Sequence, residues 1–474
     1  MHTETFIRRV RIAVSAEEAF AWHARPGALE RLTPPWENVR DVAISGPFPS
    51  WNHLHRFEPD GPDASWLEDR IEYALPGGAL GAVFGASMVK RRLERMFRYR
   101  HDTAAADLTL HAKYAGRPRL TVGVTGASGL VGSSLLPFLT TGGHCATGIP
   151  RATKGSGVFA VETLRSALCD TRGFAEKTPD PFVSALHLAG ESIGAGRWNA
   201  AKKARIRDSR VLGTRGLCQA IGQLDRPPRV LVCASAVGFY GNRGDEVLDE
   251  QSSPGAGFLP AVTRDWEAAV RPAIERGIRV VLLRFGMILS PRGGALAQML
   301  LPFRAGLGGR IGSGRQYWSW ISLDDALGAI HHALMTDALA GPVNAVGPQP
   351  ATNAEFTAAL GQVLRRPTLA PVPAWASRVA LGEMADELLL ASARVTPAKL
   401  LQTGYEFRHA NLSSALRHVL GRPLPLCRRR LAGPRLRLRL RPVFPRARRE
   451  EISVVHELRR GDALQIARLA FHLL

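Results

Sequence analysis

From residue 119 onward, short apolar runs alternate with longer stretches in which apolar residues recur at helical spacing. The apolar runs predict β-strands at 119–125, 182–189, 229–235, 279–285 and 342–346. Helical patterns lie between them, most clearly at 197–222 and 261–276. This alternation is typical of a parallel sheet with helices on both faces. We therefore predict an α/β fold with a doubly wound parallel sheet and right-handed crossovers.

The first 115 residues follow a different pattern, which predicts a separate, partial α+β module. Thr5–Val14 alternates as a strand does, and Ser15 is placed to cap a helix. Trp51–Phe57 and Trp66–Tyr73 are rich in the aromatic and β-branched residues of strands. Val89–Tyr99 has the apolar spacing of an amphipathic helix, and its basic face is interpreted as a solvated one.

The end of the chain differs again. Residues 371–420 are mainly helical in pattern, with Asn411 placed to cap the last helix, and predict a small C-terminal lobe. After Gly421 the chain contains 14 arginines and four acidic residues. This composition is typical of a disordered tail or a frame-shifted C-terminus. The functional alternative is a basic tail that binds anionic partners. The predicted division is 1–115, a shortened module; 119–365, the nucleotide-binding domain; 366–421, the helical lobe; and 422–474, the tail.

Composition narrows the classes of protein to consider. A hydrophobic fraction of 45% and a charged fraction of 22% are those of a globular protein. The net charge of +21 invites a nucleic-acid interpretation, but no Lys/Arg stripe is interleaved with aromatic residues near the predicted sheet, so we expect no specific nucleic-acid partner. The five cysteines form no C-x-x-C pair, which favours a reducing, cytoplasmic setting. We expect neither a secretory signal nor a membrane span.

The strongest chemical signal follows the first predicted strand of the parallel sheet. Gly126, Gly129 and Gly132 have the spacing G-x-x-G-x-x-G, with Ser128 and Leu130 inside the turn. The first glycine permits the sharp turn, the second lets the backbone approach a pyrophosphate, and the third lets the next helix pack on the strand. The turn therefore predicts a dinucleotide site, and an ordinary glycine-rich turn is the alternative.

Two further segments match this site. The second strand ends near Arg151 without an acid, which favours the 2′-phosphate of NADP over the free ribose of NAD, although a surface arginine would look the same. The strand that ends in Leu188, Ala189 and Gly190 offers small residues over which an adenosine can lie. Arg210 and Arg205 are the members of a basic helix that we expect to reach phosphate, whereas the others are interpreted as solvated.

Candidate catalytic groups follow another strand. Ser235 and Tyr240 come just beyond it, where a hydroxyl could bind a substrate carbonyl beside a nicotinamide. A structural serine in a turn fits Ser235 equally well. The segment 284–288 follows a further strand and would close the pocket from the far side.

The region from Leu120 to Leu420 resembles the atypical extended short-chain dehydrogenase/reductases of the nucleoside-diphosphate-sugar epimerase-like family. The matching motifs, in order, are TGASGLVG, LHLAGESI, RWNAAKKARIRDSRVLGT, FLPAVTRDWEAA, LRFGMILSPRGGAL, GLGGRIGSGRQYWSWI and TNAEF. The resemblance implies a Rossmann fold, NADP binding, a small C-terminal domain and oxidoreductase or epimerase chemistry. It places Pro150, Arg151, Leu188, Ala189, Arg205, Arg210 and Ile288 at cofactor-contacting positions.

The chain departs from that family at one point that matters for catalysis. Classical members carry Tyr-x-x-x-Lys, whose lysine lowers the pKa of the tyrosine. Here Phe258 and Val262 stand at those positions. Either Tyr240 or Ser235 substitutes, or the protein binds NADP without fast catalysis.

The first module resembles the START-like, helix-grip family that includes polyketide cyclase-type domains. The resemblance rests on FAWHARPGALERLTPPW, GPFPSWNHLHRFEP, LEDRIEYALPGG and LERMFRYRH, and it implies an apolar ligand pocket. Only about ten residues separate Trp36 from Gly46, so the module looks truncated. His53 and His55 suggest a metal, but no carboxylate or cysteine joins them at ligand spacing, and we expect no metal site.

The sequence therefore predicts an NADP-dependent oxidoreductase or epimerase-like protein acting on a small-molecule carbonyl, alcohol or nucleotide-sugar-like substrate. The alternative is an NADP(H) sensor whose first module binds a hydrophobic ligand.

Overall fold

The computed structural model describes residues 3–36, 50–75, 78–150, 182–423 and 452–454. They form two compact units. The described residues of the first unit lie within 3–20, 50–101, 422–423 and 452–454, and those of the second within 21–36, 102–150 and 182–421. Residues 21–36 and 102–113, which precede the predicted boundary at 115, thus belong to the second unit. In the described residues no helix is both long enough and apolar enough to cross a membrane.

The first unit is built on an antiparallel sheet. The elements that begin in it are β1 (Thr3–Ile12), α1 (Ala16–Ala24), β2 (Ser50–Pro59), β3 (Ser65–Ala74) and the first part of α3 (Gly78–Lys113), with α2 (Ala28–Leu32) in the second unit. The strand order is β1, β3, β2 and then the short strand Ile452–Val454, which pairs with β2. The rest of the predicted tail lies outside the described residues.

The antiparallel sheet and α3 pack together through apolar side chains, which alternate along the strands and recur at helical spacing on α3. Phe6, Ile71 and Tyr73 are buried on one face of the sheet. Leu93 and Phe97, one helical turn apart on α3, join them in the same apolar cluster. Ser15 accepts a hydrogen bond from the Glu18 amide at 3.2 Å, which confirms the predicted cap of α1.

The second unit contains a six-stranded parallel sheet. Its elements up to the last strand of that sheet are β4 (Leu120–Thr125), α4 (Gly132–Thr141), β5 (Cys145–Ile149), β6 (Phe182–His187), α5 (Ala200–Ile221), β7 (Val230–Ala236), β8 (Val247–Leu248), α6 (Phe258–Ala268), α7 (Arg271–Glu275), β9 (Arg279–Phe285), β10 (Met287–Leu289), α8 (Gly294–Arg304), β11 (Tyr317–Trp318), β12 (Trp320–Ser322), α9 (Leu323–Met335) and β13 (Gly341–Ala345). The order is β13, β9, β7, β6, β4 and β5, with every pair parallel. The five predicted strands are confirmed, and the fold is a Rossmann-type α/β fold.

Apolar layers cover both faces of this sheet. On one face, side chains of α4 and α9 such as Phe138 and Ile330 pack with Val124 of β4. On the other face, Leu217 of α5 packs with Leu231 of β7. The strands are buried on both sides, which explains why their sequences are continuous apolar runs rather than alternating ones.

The C-terminal part of the second unit is a small, mainly helical lobe. Its elements are β14 (Ala351–Thr352), α10 (Asn353–Leu364), α11 (Ala374–Leu381), a π-helical turn (Ala385–Leu390), β15 (Arg394–Val395), α12 (Ala398–Gln402) and α13 (Leu412–Val419). Asn411 accepts from the Ser414 amide at 2.8 Å, so the predicted capping of the last helix is confirmed. Three short pairs, β10–β12, β11–β14 and β8–β15, complete the unit.

A buried network of ion pairs connects distant parts of the second unit. Arg31 of α2 contacts Asp107 of α3 and Asp324 of α9, each at 2.6 Å. Arg408 contacts Asp107 at 2.5 Å, and His418 contacts Asp324 at 2.8 Å. Burial alone would raise the pKa of Asp107, but the positive charges of Arg31 and Arg408 outweigh burial and lower it.

Replacing Arg31 with methionine is expected to lower the free energy of unfolding by about 3–5 kcal/mol, because two buried carboxylates lose a shared partner. Urea denaturation measures the change. The control is Arg117→Met, which breaks a pair whose side chains are 53% and 65% exposed and should cost at most about 1 kcal/mol. Equal losses in the two variants would contradict the prediction.

Three histidines, His111, His144 and His331, form a second buried group in this unit. The ring of His144 accepts from the Leu120 amide at 3.0 Å through Nδ1, and its Nε2 lies 3.0 Å from Nε2 of His331. Burial lowers the pKa of His111 and of His144 to about 3 and holds that of His331 well below its usual value. The neutral rings are therefore the folded form.

The second unit should lose stability in acid. The unfolded histidines titrate at about 6.5, so their contribution is fully present above that pH and is lost as pH falls toward about 3. The limiting slope is about 1.4 kcal/mol per pH unit for each histidine. Urea midpoints between pH 7 and 4 test this. His331→Gln should flatten the dependence, and parallel curves for variant and wild type would refute the assignment.

Candidate functional site

The carboxyl ends of neighbouring parallel strands meet at one edge of the second unit's sheet. β4 ends at Thr125, β6 at His187 and β7 at Ala236. The amide of Leu188 donates to the carbonyl of Thr125 at 3.1 Å, so the segments that leave β4 and β6 stay in contact. Such an edge is where open α/β sheets bind ligands.

The glycine turn after β4 leaves no space for side chains at two positions. Gly126 has a φ of +74°, and a Cβ there would lie 2.8 Å from the Ala189 nitrogen. A Cβ on Gly132 would lie 2.3 Å from the carbonyl oxygen of Gly126. Gly129 donates to that same oxygen at 3.0 Å. The turn thus needs glycine at 126 and 132 for backbone packing.

The helix that follows the turn begins without a side-chain cap. Val131 occupies the N-cap position of α4 and provides no capping bond. Among the described residues, no acceptor takes a hydrogen bond from the amides of Leu130 and Val131. Ser128 and Gly129 are exposed beside them. Free amide donors and the positive end of the helix dipole fit the pyrophosphate of a dinucleotide.

The predicted adenosine-binding segment lies directly against this turn. Leu188 is half-buried, Ala189 is buried and Gly190 is exposed. Arg210 lies beside Gly190 and donates through Nη1 to the carbonyls of Glu191 at 3.0 Å and Ile206 at 3.2 Å. Burial lowers its pKa to about 10.

The remaining predicted cofactor residues have other surroundings. Arg205 is 61% exposed, and its Nε lies 3.8 Å from Glu191. Ile288 is half-buried on β10 and pairs in register with Ile321 of β12. Pro150 is exposed directly after β5, and Arg151 lies outside the described residues.

The two predicted catalytic hydroxyls belong to one hydrogen-bonded network. Ser235 donates to Oε1 of Glu267 at 2.6 Å. Arg284 holds both oxygens of Glu267, at 2.8 and 2.7 Å, and donates through Nη1 to the hydroxyl of Tyr240 at 2.9 Å. That hydroxyl also lies 2.7 Å from Oδ1 of Asn344. Sequence reasoning missed Glu267, although a buried arginine such as Arg284 signals that a carboxylate partner is needed.

Tyr240 is placed differently from Ser235 in this network. Tyr240 is fully buried, and its hydroxyl also lies 2.8 Å from the carbonyl of Asp249. Burial raises the pKa of Tyr240, partly offset by the charge of Arg284. The phenol therefore stays protonated with all of its bonding capacity used inside the protein. Ser235 is 4% exposed and is tied to Glu267.

The positions of the missing Tyr-x-x-x-Lys pair are apolar. Phe258 begins α6, its ring centroid lies 5.3 Å from that of Trp198, and the ammonium of Lys203 lies 4.5 Å from the ring. Val262 is 3% exposed. Glu387 of the C-terminal lobe accepts from the amide of Phe258 at 3.0 Å and so caps this helix. Neither position supplies a proton donor.

The first unit corrects one statement made from the sequence. Spacing along the chain showed no carboxylate beside His53 and His55, yet Asp69 of β3 lies within 2.7 Å of both rings. The error arises because antiparallel pairing sets His55 directly opposite Asp69, 14 residues away in the sequence.

The fold and the edge site define a Rossmann-type, dinucleotide-binding class of protein. Residues 122–346 match the NAD dependent epimerase/dehydratase family, and residues 372–419 match a domain of unknown function. The chain is 42% identical over 302 residues to an epimerase family protein of Mycobacterium bovis, covering 64% of this chain and 98% of that protein. The chain therefore belongs to the NAD dependent epimerase/dehydratase family.

Two solved structures are similar at both the sequence and the fold level. The nucleoside-diphosphate sugar epimerase from Corynebacterium glutamicum has a TM-score of 0.68 and 30% identity, and the match covers 88% of this chain and 90% of that one. The human epimerase family protein SDR39U1, solved with NADPH, has a TM-score of 0.56 and 34% identity, with 63% of this chain and 98% of that one covered. The first match extends beyond residues 122–419.

Gly132→Ala should destabilise the second unit by about 1–3 kcal/mol, because the new methyl group meets the Gly126 carbonyl oxygen at 2.3 Å. Gly213→Ala is the matched control, since a Cβ there meets nothing within 4 Å and the residue lies inside α5. Alanine at that position should be neutral or stabilising. Thermal unfolding distinguishes the two, and an equally stable Gly132→Ala variant would contradict the packing argument.

Proposed function

We propose that this chain binds NADPH at the carboxyl edge of its sheet and acts as an NADP-dependent oxidoreductase or epimerase-like enzyme. The turn that admits only glycine at 126 and 132, followed by the uncapped start of α4, carries the proposal. The human relative at 34% identity was solved with NADPH, which supports the choice of cofactor. In this proposal the amides of Leu130 and Val131 bind the pyrophosphate.

The preference for NADP over NAD rests on the exit of β5. Pro150 and Arg151 follow Ile149, and no acid stands there to bind a ribose hydroxyl. The guanidinium of Arg151 is proposed to bind the 2′-phosphate. Ala189 and Gly190 provide the small surface for the adenosine.

The chemistry is proposed to take place near Ser235. When bound, NADPH would supply a hydride to a carbonyl carbon, and NADP⁺ would take one from an alcohol carbon. In this proposal Ser235 accepts from a substrate hydroxyl while its own proton stays on Glu267, or turns that proton from Glu267 to a substrate carbonyl. Arg284 holds Glu267 in place. The Corynebacterium glutamicum neighbour is described as a nucleoside-diphosphate sugar epimerase, which supports a substrate of the nucleotide-sugar class.

A second candidate function is a non-catalytic NADP(H) sensor. The apolar pair Phe258 and Val262 favours it, because the usual proton relay has no counterpart there. The commitment of the Tyr240 hydroxyl to Asn344 and Arg284 favours it as well.

We further propose that the first module is START-like and binds an apolar ligand, with the domain divisions given by the sequence. The support is an antiparallel sheet covered by the long helix α3 through Leu93 and Phe97. The small helical domain at 366–421 corresponds to the segment matched at 372–419. The Arg-rich tail is proposed to bind no specific nucleic acid.

Arg151→Glu is expected to weaken NADPH binding at least about tenfold and to leave NADH binding unchanged, because the carboxylate would repel a 2′-phosphate. Titrations followed by tryptophan quenching measure both constants. Arg117→Glu, at a 53% exposed side chain, controls for the change in net charge. Equal losses for the two nucleotides would remove the assignment of Arg151.

Ser235→Ala should reduce turnover by about 10²-fold or more with little change in NADPH affinity, because the substrate oxygen loses its bond. Tyr240→Phe should instead lower stability by about 1–3 kcal/mol, since it leaves buried Asn344 and Arg284 short of a partner. NADPH oxidation measures turnover with a panel of carbonyl compounds, and conversion between epimers measures it with nucleotide sugars. Unchanged turnover in Ser235→Ala would remove the assignment of Ser235, whereas absence of turnover in the wild type would favour the sensor.

A further inference from the structure

Four titratable side chains converge inside the first unit. Nε2 of His53 and Nδ1 of His55 each lie 2.7 Å from Oδ1 of Asp69. Nε2 of His101 contacts the other carboxylate oxygen of Asp69. Three ring nitrogens thus surround one carboxylate.

The fold explains why these residues meet. His53 and His55 are two residues apart on β2 and therefore lie on the same face of the sheet. Antiparallel register places Asp69 of β3 opposite His55, and His101 comes from α3. The Phe97 ring lies edge-on to those of His53 and His101, with centroids 5.3 and 6.3 Å apart. The cluster is enclosed between the sheet and the helix.

The donor atoms form a set that suits a particular class of ion. One ligand atom each from His53, His55 and Asp69 lies within 4.8 Å of the other two, so a single ion could contact all three. Two imidazole nitrogens and one carboxylate oxygen suit Zn²⁺ and its neighbours among the divalent transition metals. Mg²⁺ and Ca²⁺ prefer oxygen ligands and do not fit.

We propose that His53, His55 and Asp69 bind a divalent transition-metal ion of the Zn²⁺ type, which joins β2 to β3. His101 is a positioning residue that holds the second oxygen of Asp69. Such carboxylate and imidazole partners orient the ligands of metal sites. This site is independent of the nucleotide edge, which belongs to the other unit.

Burial and charge are consistent with metal ligands. The side chains of His53, Asp69 and His101 are at most 5% exposed, whereas that of His55 is 26% exposed and leaves a route for an ion. A neutral imidazole and a carboxylate are the forms of these side chains that bind a metal ion.

Two arginines near the cluster work against a cation and limit its affinity. Arg100 is buried, and its charge interacts with those of Asp69 and His53. Arg8 is in register with Asp69 on β1. In the part of the chain that the structure describes, Arg100 forms no ion pair with Asp69 within 4 Å, and imidazoles contact both oxygens of the carboxylate.

A second cluster of one aspartate and two histidines can be compared with the proposed metal site. Asp324, His409 and His418 also lie within ligand distance of one another. There, however, Arg31 contacts Oδ1 of Asp324 at 2.6 Å, and Nδ1 of His409 lies 3.2 Å from the hydroxyl of Ser414. A guanidinium bound directly to the carboxylate competes with a metal ion, so this group should bind none.

The test uses the full, untagged chain after treatment with a chelator. Calorimetric titration with ZnCl₂ should show one equivalent bound, and MgCl₂ should show none. CoCl₂ should produce a visible ligand-field spectrum with the intensity of a low-coordinate, nitrogen-ligated ion. Zn²⁺ should also raise the unfolding temperature of the first unit, because it binds the folded form.

Three variants locate the site. The double variant His53→Asn/His55→Asn should lose Zn²⁺ binding, whereas His409→Asn/His418→Asn should keep it. His101→Asn should bind Zn²⁺ about 10–100-fold more weakly, as expected for a positioning residue. Circular dichroism shows which variants remain folded.

The outcomes separate clearly. Absence of Zn²⁺ binding by the wild type, or binding that survives in the first double variant, overturns the proposal. Loss of binding in the second double variant moves the ion to the other group and also overturns it. If the first double variant fails to fold, the Co²⁺ spectrum is used instead. Intense bands that persist in the His409→Asn/His418→Asn variant support the site. A wild-type spectrum as weak as that of aqueous Co²⁺ overturns it.

Discussion

The close approach of Gly132 to the carbonyl of Gly126 is the constraint on which the candidate site depends. A Cβ at 132 would lie 2.3 Å from that oxygen, so α4 can start this close to β4 only without a side chain there. The turn also sets the amides of Leu130 and Val131, which donate to no acceptor among the described residues, at the carboxyl edge of the sheet. In the proposed function, this backbone contact positions the donors for an anionic cofactor.

Buried carboxylates organise both units, but their partners differ. Asp107 and Asp324 are held by the arginines Arg31 and Arg408, whose charges are permanent, and such networks serve structure. Asp69 is surrounded by imidazoles, which can release a proton and accept a metal. Whether a buried carboxylate forms a structural ion pair or a candidate metal ligand therefore depends on which side chains contact it.

Phe258 and Val262 are apolar at the positions where the sequence analysis looked for a tyrosine and a lysine. The two hydroxyls predicted to act there are Ser235, bound to Glu267, and Tyr240, bound to Arg284. Only the serine is attached to a single partner rather than enclosed by several. For this reason the proposed chemistry is assigned to Ser235, and Tyr240 is treated as part of the buried framework.

The sequence alone determined the parallel sheet, the caps at Ser15 and Asn411 and the glycine turn, because each depends on residues close together in the chain. The tertiary structure alone decided that Glu267 meets Ser235, 32 residues away, and that Asp69 meets His53, 16 residues away. Contacts of this kind follow from strand register and from helices packing on the sheet. The local pattern of apolar and polar residues does not reveal these contacts. The free energy that selects the strand register is spread over the whole buried face of the sheet.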